Sequence, residues 1–362
     1  MRILDRYILR GFVVSMAFAL LAFSLVFIVV NLIESLDKFI DRQADAATVI
    51  LYYFYYLPEI FKLLVPITVL VSALFVVGKM TDNYETTAMK SAGVSLYRSL
   101  LPLVILSGCI ATAHLYFNGW IVPRALSKKF AIERQYFGRN VGGIQEQLYG
   151  LYLRDTPTRV VTIGFYDVRA QSGTDITIEE YTDPLLPRTY RYVQAQHFGW
   201  DSVQQCWMGR DCIVRTITAE KVVSSYHPQL PLALSTSHQQ LATLQRSLEE
   251  MTFPERSTYI TFLQNGGRNT RQLDIAQAGD YAFPFANIIV ILIAVPFAWV
   301  KKRSGLAANI AAAMSITFLY LVLTKVSQAV GSGAPLAPAL VGWSANIVFL
   351  IVGIIILART PT

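Results

Sequence analysis

Cysteine, charge and catalytic signatures are all scarce in this chain. Only Cys109, Cys206 and Cys212 occur among 362 residues. No second Cys pair or His-x-x-x-His accompanies them, which argues against a zinc site. The four histidines, His114, His197, His227 and His238, are scattered without ligand spacing. No G-x-x-x-x-G-K-[ST] is present: Gly78-Lys79 is followed by Met80 and lacks the upstream glycine, so the chain does not hold ATP in a P-loop. There is no H-E-x-x-H, and Gly342-Trp343-Ser344-Ala345-Asn346 lacks the closing glycine of a nucleophile elbow. The residues for cutting a bond are missing, and internal sequence repeats are missing too.

Charged residues make up only 15% of the chain, against 54% hydrophobic, and the mean hydropathy is +0.43. The apolar residues fall in six runs: Gly11 to Leu32, Pro58 to Gly78, Ser99 to Trp120, Tyr281 to Val300, Leu306 to Val326 and about Leu340 to Leu357. Each approaches the ~20 residues that a helix needs to cross a ~30 Å hydrocarbon layer. They mostly lack the polar stripe of a soluble amphipathic helix. The first run is too long for a signal-peptide core and ends in Asn31-Leu32-Ile33-Glu34, without a small-x-small cleavage pattern, so it reads as a retained helix. The sequence predicts an integral membrane protein of six spans.

The net charge of +7 follows the same layout rather than a nucleic-acid surface. Arg2, Arg6, Arg10, Lys79, Lys90, Arg98, Lys301, Lys302, Arg303 and Arg359 flank one side of the six runs, against Asp5, Asp82 and Glu85. That is ten against three, the whole excess. The positive-inside rule therefore places both termini in the cytoplasm and the long polar block, about Ile121 to Asp280, outside it.

The polar block is nearly neutral, with 17 Lys/Arg and 16 Asp/Glu. It begins as a helical continuation of the third run, then changes period. Tyr152–Arg154, Arg159–Ile163, Asp175–Ile178, Tyr190–Val193, Cys212–Ile217 and Lys221–Val223 read as short strands punctuated by Pro, Gly, Asp and Ser, the pattern of an all-β sandwich or open barrel. Residues 237–267 look helical again. Gly209, midway between Cys206 and Cys212, suggests a hairpin that brings the thiols together; a disulfide and two free thiols are both open. Cys109 lies within the third run as packing.

Three groups of residues stand out. Thr81 to Ser95 form a short polar loop in which Asp82 and Glu85 resemble a capping box and Gly93 suits a left-handed helix end. This is either a plain interfacial connector or a helix that docks into a cytosolic motor. In the second run, Glu59 and Lys62 are three apart and on one helix face, read as a mutually neutralised pair near the aromatic belt Tyr52–Tyr56. Beyond the third run stand Arg124, Lys128, Lys129 and Arg134, with Lys38, Arg42 and Lys325 ending other spans at the same level. Such cations suit lipid phosphates, whether of a transported lipid or of ordinary headgroups.

The chain resembles the LptF/LptG permeases of the lipopolysaccharide export ABC transporter. The resemblance is carried by Leu4-Asp5-Arg6-Tyr7-Ile8, Leu57-Pro58, Val65-Pro66, Glu85, Met89, Ala92-Gly93, Val122-Pro123, Pro284, Pro296, Pro338, Trp343 and Asn346 in order. It implies six transmembrane helices with an inserted periplasmic β-jellyroll: residues 1–120 and 281–362 in the inner membrane, 121–280 in the periplasm. It implies a coupling helix at about residues 82–93, with Tyr84, Glu85, Met89 and Gly93 at the contact with an LptB-like ATPase, expected in two copies. That subunit would use ATP and Mg, and the permease itself would bind no cofactor directly. A sister permease, an LptC-like bridge protein and lipopolysaccharide would be the other partners. Lys38, Arg42, Lys62, Arg124, Lys128, Arg134 and Lys325 are the expected substrate-binding residues. The N-terminal motif and Asp37–Asp41 lean toward LptG. Gly279-Asp280 departs from the basic residue expected in relatives just before the fourth span. A non-transporting scaffold or sensor with an envelope-binding β domain is the alternative.

Overall fold

The computed structural model describes residues 3–41, 45–137, 147–168, 170–183, 188–218, 221–238, 241, 247–265, 269–300 and 305–360. They form two compact units, Met1–Lys129 with Arg271–Thr362, and Phe130–Thr270. The boundaries lie inside the polar block read from composition, because the helical extensions of the third and fourth spans pack with the other helices.

The first unit is helical. Its elements are α1 (Ile3–Asp41), α2 (Ala46–Asp82), α3 (Glu85–Ser91), α4 (Leu96–Tyr116) continued by a π-helical turn (Phe117–Ile121), and the first half of α5 (Val122–Phe137), whose residues from Phe130 on belong to the second unit. After the second unit come α7 (Arg271–Ala282), a 3-10 turn at Phe283–Phe285, α8 (Ala286–Trp299), α9 (Gly305–Gly331) and α10 (Pro338–Arg359). Six of these helical segments are long and apolar enough to cross a membrane, as the hydropathy runs predict. The helices outrun the apolar runs because the backbone ladder continues past the point where the side chains turn polar. At Pro123 the amide that would bond to Gly119 is absent, and the ladder beside it widens to the π pattern.

The core runs from Ile8 and Phe12 of α1 through Val69 to Met80 of α2 and Leu96, Leu100 and Leu103 of α4 to Val290–Trp299 of α8. Burial is unequal: 72% of the fourth span's most apolar window lies inside the unit, but only 11% of the first and fifth. The inner helices α2 and α8 therefore set the fold, while α1 and α9 present Val14, Phe18, Leu21, Phe318 and Leu319 outward.

The second unit holds β1 (Gln147–Thr156), β2 (Arg159–Asp167), β3 (Ser172–Tyr181), β4 (Thr189–Asp201), β5 (Cys206–Ile217) and β6 (Val222–Leu232), then α6 (Phe253–Asn265). All six expected strands are present and longer than their apolar signals. They form one antiparallel sheet in chain order. The inward face switches parity across it: Val161 and Ile163 then Tyr166 on β2, Val193 and Ala195 then Phe198 on β4, Val214 and Cys212 then Trp207 on β5. The switch falls beside Asp175 (φ 56°) and Asp211 (φ 55°), two left-handed residues that bend β3 and β5. Both halves of each strand thus feed one core, where Tyr166, Phe198, Trp200 and Trp207 meet ring to ring and Leu241 closes the cluster.

The expected Cys206–Cys212 hairpin does not form. Both residues lie on the single strand β5 with Gly209 mid-strand, and both thiols are free. At ~3.3 Å per residue their Cα atoms are about 20 Å apart, far beyond disulfide reach.

A clip secures the chain after β6. The Asp155 carboxylate accepts hydrogen bonds from the backbone amides and hydroxyls of Ser235 and Thr236, at 2.7 to 3.1 Å. Thr236 in turn accepts from Trp207 Nε1 at 2.7 Å. Burial opposes the Asp155 charge, but these donors outweigh it and hold the carboxyl below its usual range. A depressed folded pKa gives stability that is present above the unfolded carboxylate value, about 3.9, and is lost as pH falls through the folded value. We expect Asp155→Asn to destabilise the unit by about 1.5–3 kcal/mol at neutral pH and to flatten this acid dependence. Tryptophan-monitored melting of the full chain in detergent from pH 7 to pH 3 measures both.

Candidate functional site

Two polar clusters sit along α2, one near its middle and one at its C-terminal end. The first begins with Pro66, which has no N–H to offer the Lys62 carbonyl four residues earlier. His114 of α4 satisfies it: Nε2 lies 3.2 Å from that oxygen, so Nε2 carries the proton. Nδ1 then accepts from Asn287 Nδ2 of α8 at 3.1 Å, and the same amide donates to the Pro284 carbonyl. Asn287 Oδ1 and both amide atoms of Asn118 lie buried with no partner among the described residues. Such groups are costly in an apolar layer unless water reaches them.

The charges around this node are matched between helices rather than within one. Lys62 Nζ meets Asp280 Oδ1 of α7 at 3.1 Å, and Lys129 Nζ of α5 meets Glu59 Oε2 at 3.3 Å. The Glu59–Lys62 pair expected from the i,i+3 spacing is therefore replaced by two cross-helix pairs, which bury less unpaired charge. Asp280, the departure from the expected basic residue, is the counter-charge of Lys62. Lys129 also lies over the Tyr56 ring at 4.1 Å and the Tyr52 ring at 5.8 Å, and Lys128 lies over Tyr55 at 5.2 Å.

The structure divides the expected substrate-binding residues. Lys62 and Lys128 engage α2 and its partners, both within reach of solvent. Arg124 and Lys325 are exposed. Arg134 belongs to the other unit, where it pairs with Glu250 at 3.4 Å. The Lys38 side chain and Arg42 lie outside the described residues, as do Arg2 and Lys301–Arg303 of the charge tally. Sequence reading missed Asp280, His114 and Asn287 as partners. Only the Pro66 offset, pointing to an orphaned carbonyl at Lys62, could have signalled the histidine.

The second cluster is α3. Its expected capping box is absent: Asp82 closes α2, and the residue before Glu85 is Tyr84, left-handed at φ 62°. The C-terminus behaves as read. Gly93 has φ 78°, its amide bonds Lys90 O, and Val94 N bonds Met89 O, which makes a Schellman motif. Met89 packs on the helical core and Lys90 lies over Trp299 at 5.8 Å. Thr81 Oγ1 donates to Ala298 O at 2.8 Å, tying this end of α2 to the last turn of α8. Glu85 is half-exposed, accepting from Tyr7 Oη of α1 and from Asn83 Nδ2, each at 3.3 Å.

A bundle of six spanning helices, a β insert between the third and fourth, and a seven-residue helix between the second and third make a transport-type layout. Comparison with known proteins agrees. The chain is similar to the lipopolysaccharide export system permease protein LptG of Haemophilus influenzae, with 20% identity over 335 residues and 89% of each chain covered. Residues 6–359 match the sequence profile described as lipopolysaccharide export system permease LptF/LptG, and the chain belongs to that family.

Proposed function

We propose that this permease extracts lipopolysaccharide from the outer leaflet of the bacterial inner membrane and passes it to a periplasmic bridge, driven by a cytosolic ATPase. In this reading both termini and α3 face the cytoplasm and the β unit is periplasmic. An LptB-like ATPase in two copies, a sister permease and an LptC-like bridge complete the machine, and this chain takes the LptG place. ATP and Mg belong to the ATPase. Each buried CH₂ opposes withdrawal by about 0.8 kcal/mol, so removing several acyl chains at once needs an external energy source.

The observation that carries the reading is the match of residues 6–359 to lipopolysaccharide export permeases. Charged groups at one end of the bundle and a presented carboxylate at the other support it. ATP-dependent release of lipopolysaccharide from proteoliposomes containing the permease pair and ATPase tests it. Assembly without ATP-dependent release would leave the scaffold reading in its place.

Lys62 supplies a finer test. A lipid phosphate reaching it must compete with Asp280, a partly exposed pair of modest strength. We expect Asp280→Asn to raise the lipopolysaccharide retained per purified permease by roughly two- to fivefold, and Lys62→Ala to lower it. Equal retention in both variants would remove Lys62 from the substrate path.

A further inference from the structure

We infer that Tyr7, in the second turn of α1, is a positioning residue that presents the Glu85 carboxylate to a cationic side chain of the ATPase, making the start of α1 part of the docking surface. This rests on the coupling role of α3 proposed above and adds residues from another helix to it.

The geometry at Glu85 is asymmetric. Tyr7 Oη and Asn83 Nδ2 both donate to Oε1, each at 3.3 Å. Oε2 has no hydrogen-bond partner among the described residues. One oxygen is anchored and the other is open. Both donors are neutral, so they fix the side chain without cancelling its charge. A lysine or arginine in their place would have anchored the carboxylate equally well and neutralised it.

Two of the described cations at this end of the bundle are engaged elsewhere. Arg98, at the start of α4, pairs with the largely buried Asp5 of α1 at 3.1 Å, and its backbone amide is capped by Ser95. Lys90, in the last turn of α3, sits over the Trp299 ring. The Asp5–Arg98 bridge also pins the turn of α1 that carries Tyr7, so Tyr7 and Glu85 are held by one frame although they lie 78 residues apart. Glu85 opens α3, where the helix dipole favours negative charge.

Two exposed aromatics adjoin the carboxylate: Tyr7, which donates to it, at 53% and Tyr84, its chain neighbour, at 62% relative exposure. Tyr84 is lifted into place by its left-handed backbone, a conformation that costs a non-glycine residue about 1–3 kcal/mol. Tyrosine flanking an unneutralised acid is the composition of an interface anchor. The matching partner surface carries a basic side chain that gives a charge-assisted hydrogen bond to Oε2.

A double-mutant cycle tests the inference in the full-length permease co-expressed with the ATPase subunit that co-purifies with it. Readouts are ATPase retained per permease and lipopolysaccharide-stimulated hydrolysis. Tyr7→Phe, which keeps the ring and removes the donor, is expected to lower both by about five- to tenfold. Glu85→Gln is expected to lower them further, and Tyr7→Phe should then add less than about twofold in the Glu85→Gln background. A full Tyr7→Phe effect persisting without the carboxylate would mean that Tyr7 only supports the fold, and the inference would fail. Wild-type behaviour of Tyr7→Phe beside a defective Glu85→Gln would also sink it while leaving the coupling role of α3 intact. Normal ATPase retention and stimulation in Glu85→Gln would instead overturn the coupling role itself.

Discussion

Exchanging Glu85 for lysine is expected to abolish stable ATPase association while leaving the permease folded. Among the described residues, the Glu85 carboxylate accepts two long hydrogen bonds, both from neutral donors, so its removal costs the bundle little. At the ATPase contact proposed for α3, the substitution would remove an attractive contact and place like charges together. Such juxtaposition costs several kcal/mol, equivalent to roughly a thousandfold loss of affinity. Co-purification in detergent, read against an unchanged melting temperature of the permease alone, measures the effect. Full retention of the ATPase by Glu85→Lys would move the contact away from α3.

The second large effect is steric. A Cβ at Gly342 of α10 would lie 2.6 Å from Ala278 Cβ and 2.7 Å from the Gly279 backbone nitrogen of α7. This is a backbone-to-helix approach that only glycine permits. The facing helix has little freedom to retreat: Arg271 donates to the carbonyls of Gly331, Ala334 and Leu336, and Asp280 holds Lys62. Overpacking commonly costs about 1–3 kcal/mol, occasionally more, and Gly342→Leu is expected at or above the top of that range. Gly342→Ala should fall lower within it. Melting and monodispersity in detergent rank the two, and a Gly342→Leu protein as stable as wild type would show that α7 and α10 can separate.

Which contacts were readable in advance depends on how local they are. Gly93 ends α3 as expected because the Schellman motif is built from consecutive residues. The capping box failed for a related reason: α2 continues through Asp82, so the residue that looked like a cap belongs to the preceding helix. The Glu59–Lys62 pair had correct spacing but lost to partners on α5 and α7 that no spacing rule can see. The hairpin expected around Gly209 is a single strand instead, because a mid-strand glycine and a turn glycine look alike in sequence, and the sheet pairing that distinguishes them is non-local.

The order of residues by itself determined the solvent, the six spans, the six strands and the side on which positive charge accumulates. These follow from hydropathy and periodicity, which are summed along the chain and need no knowledge of neighbours. Which helices lie inside, that Asp280 neutralises Lys62, that His114 repairs the break made by Pro66, and that Tyr7 holds Glu85 emerge from the packed fold alone. Those outcomes depend on distances between residues 52 to 218 positions apart, where packing of several helices, rather than local preference, selects the partner.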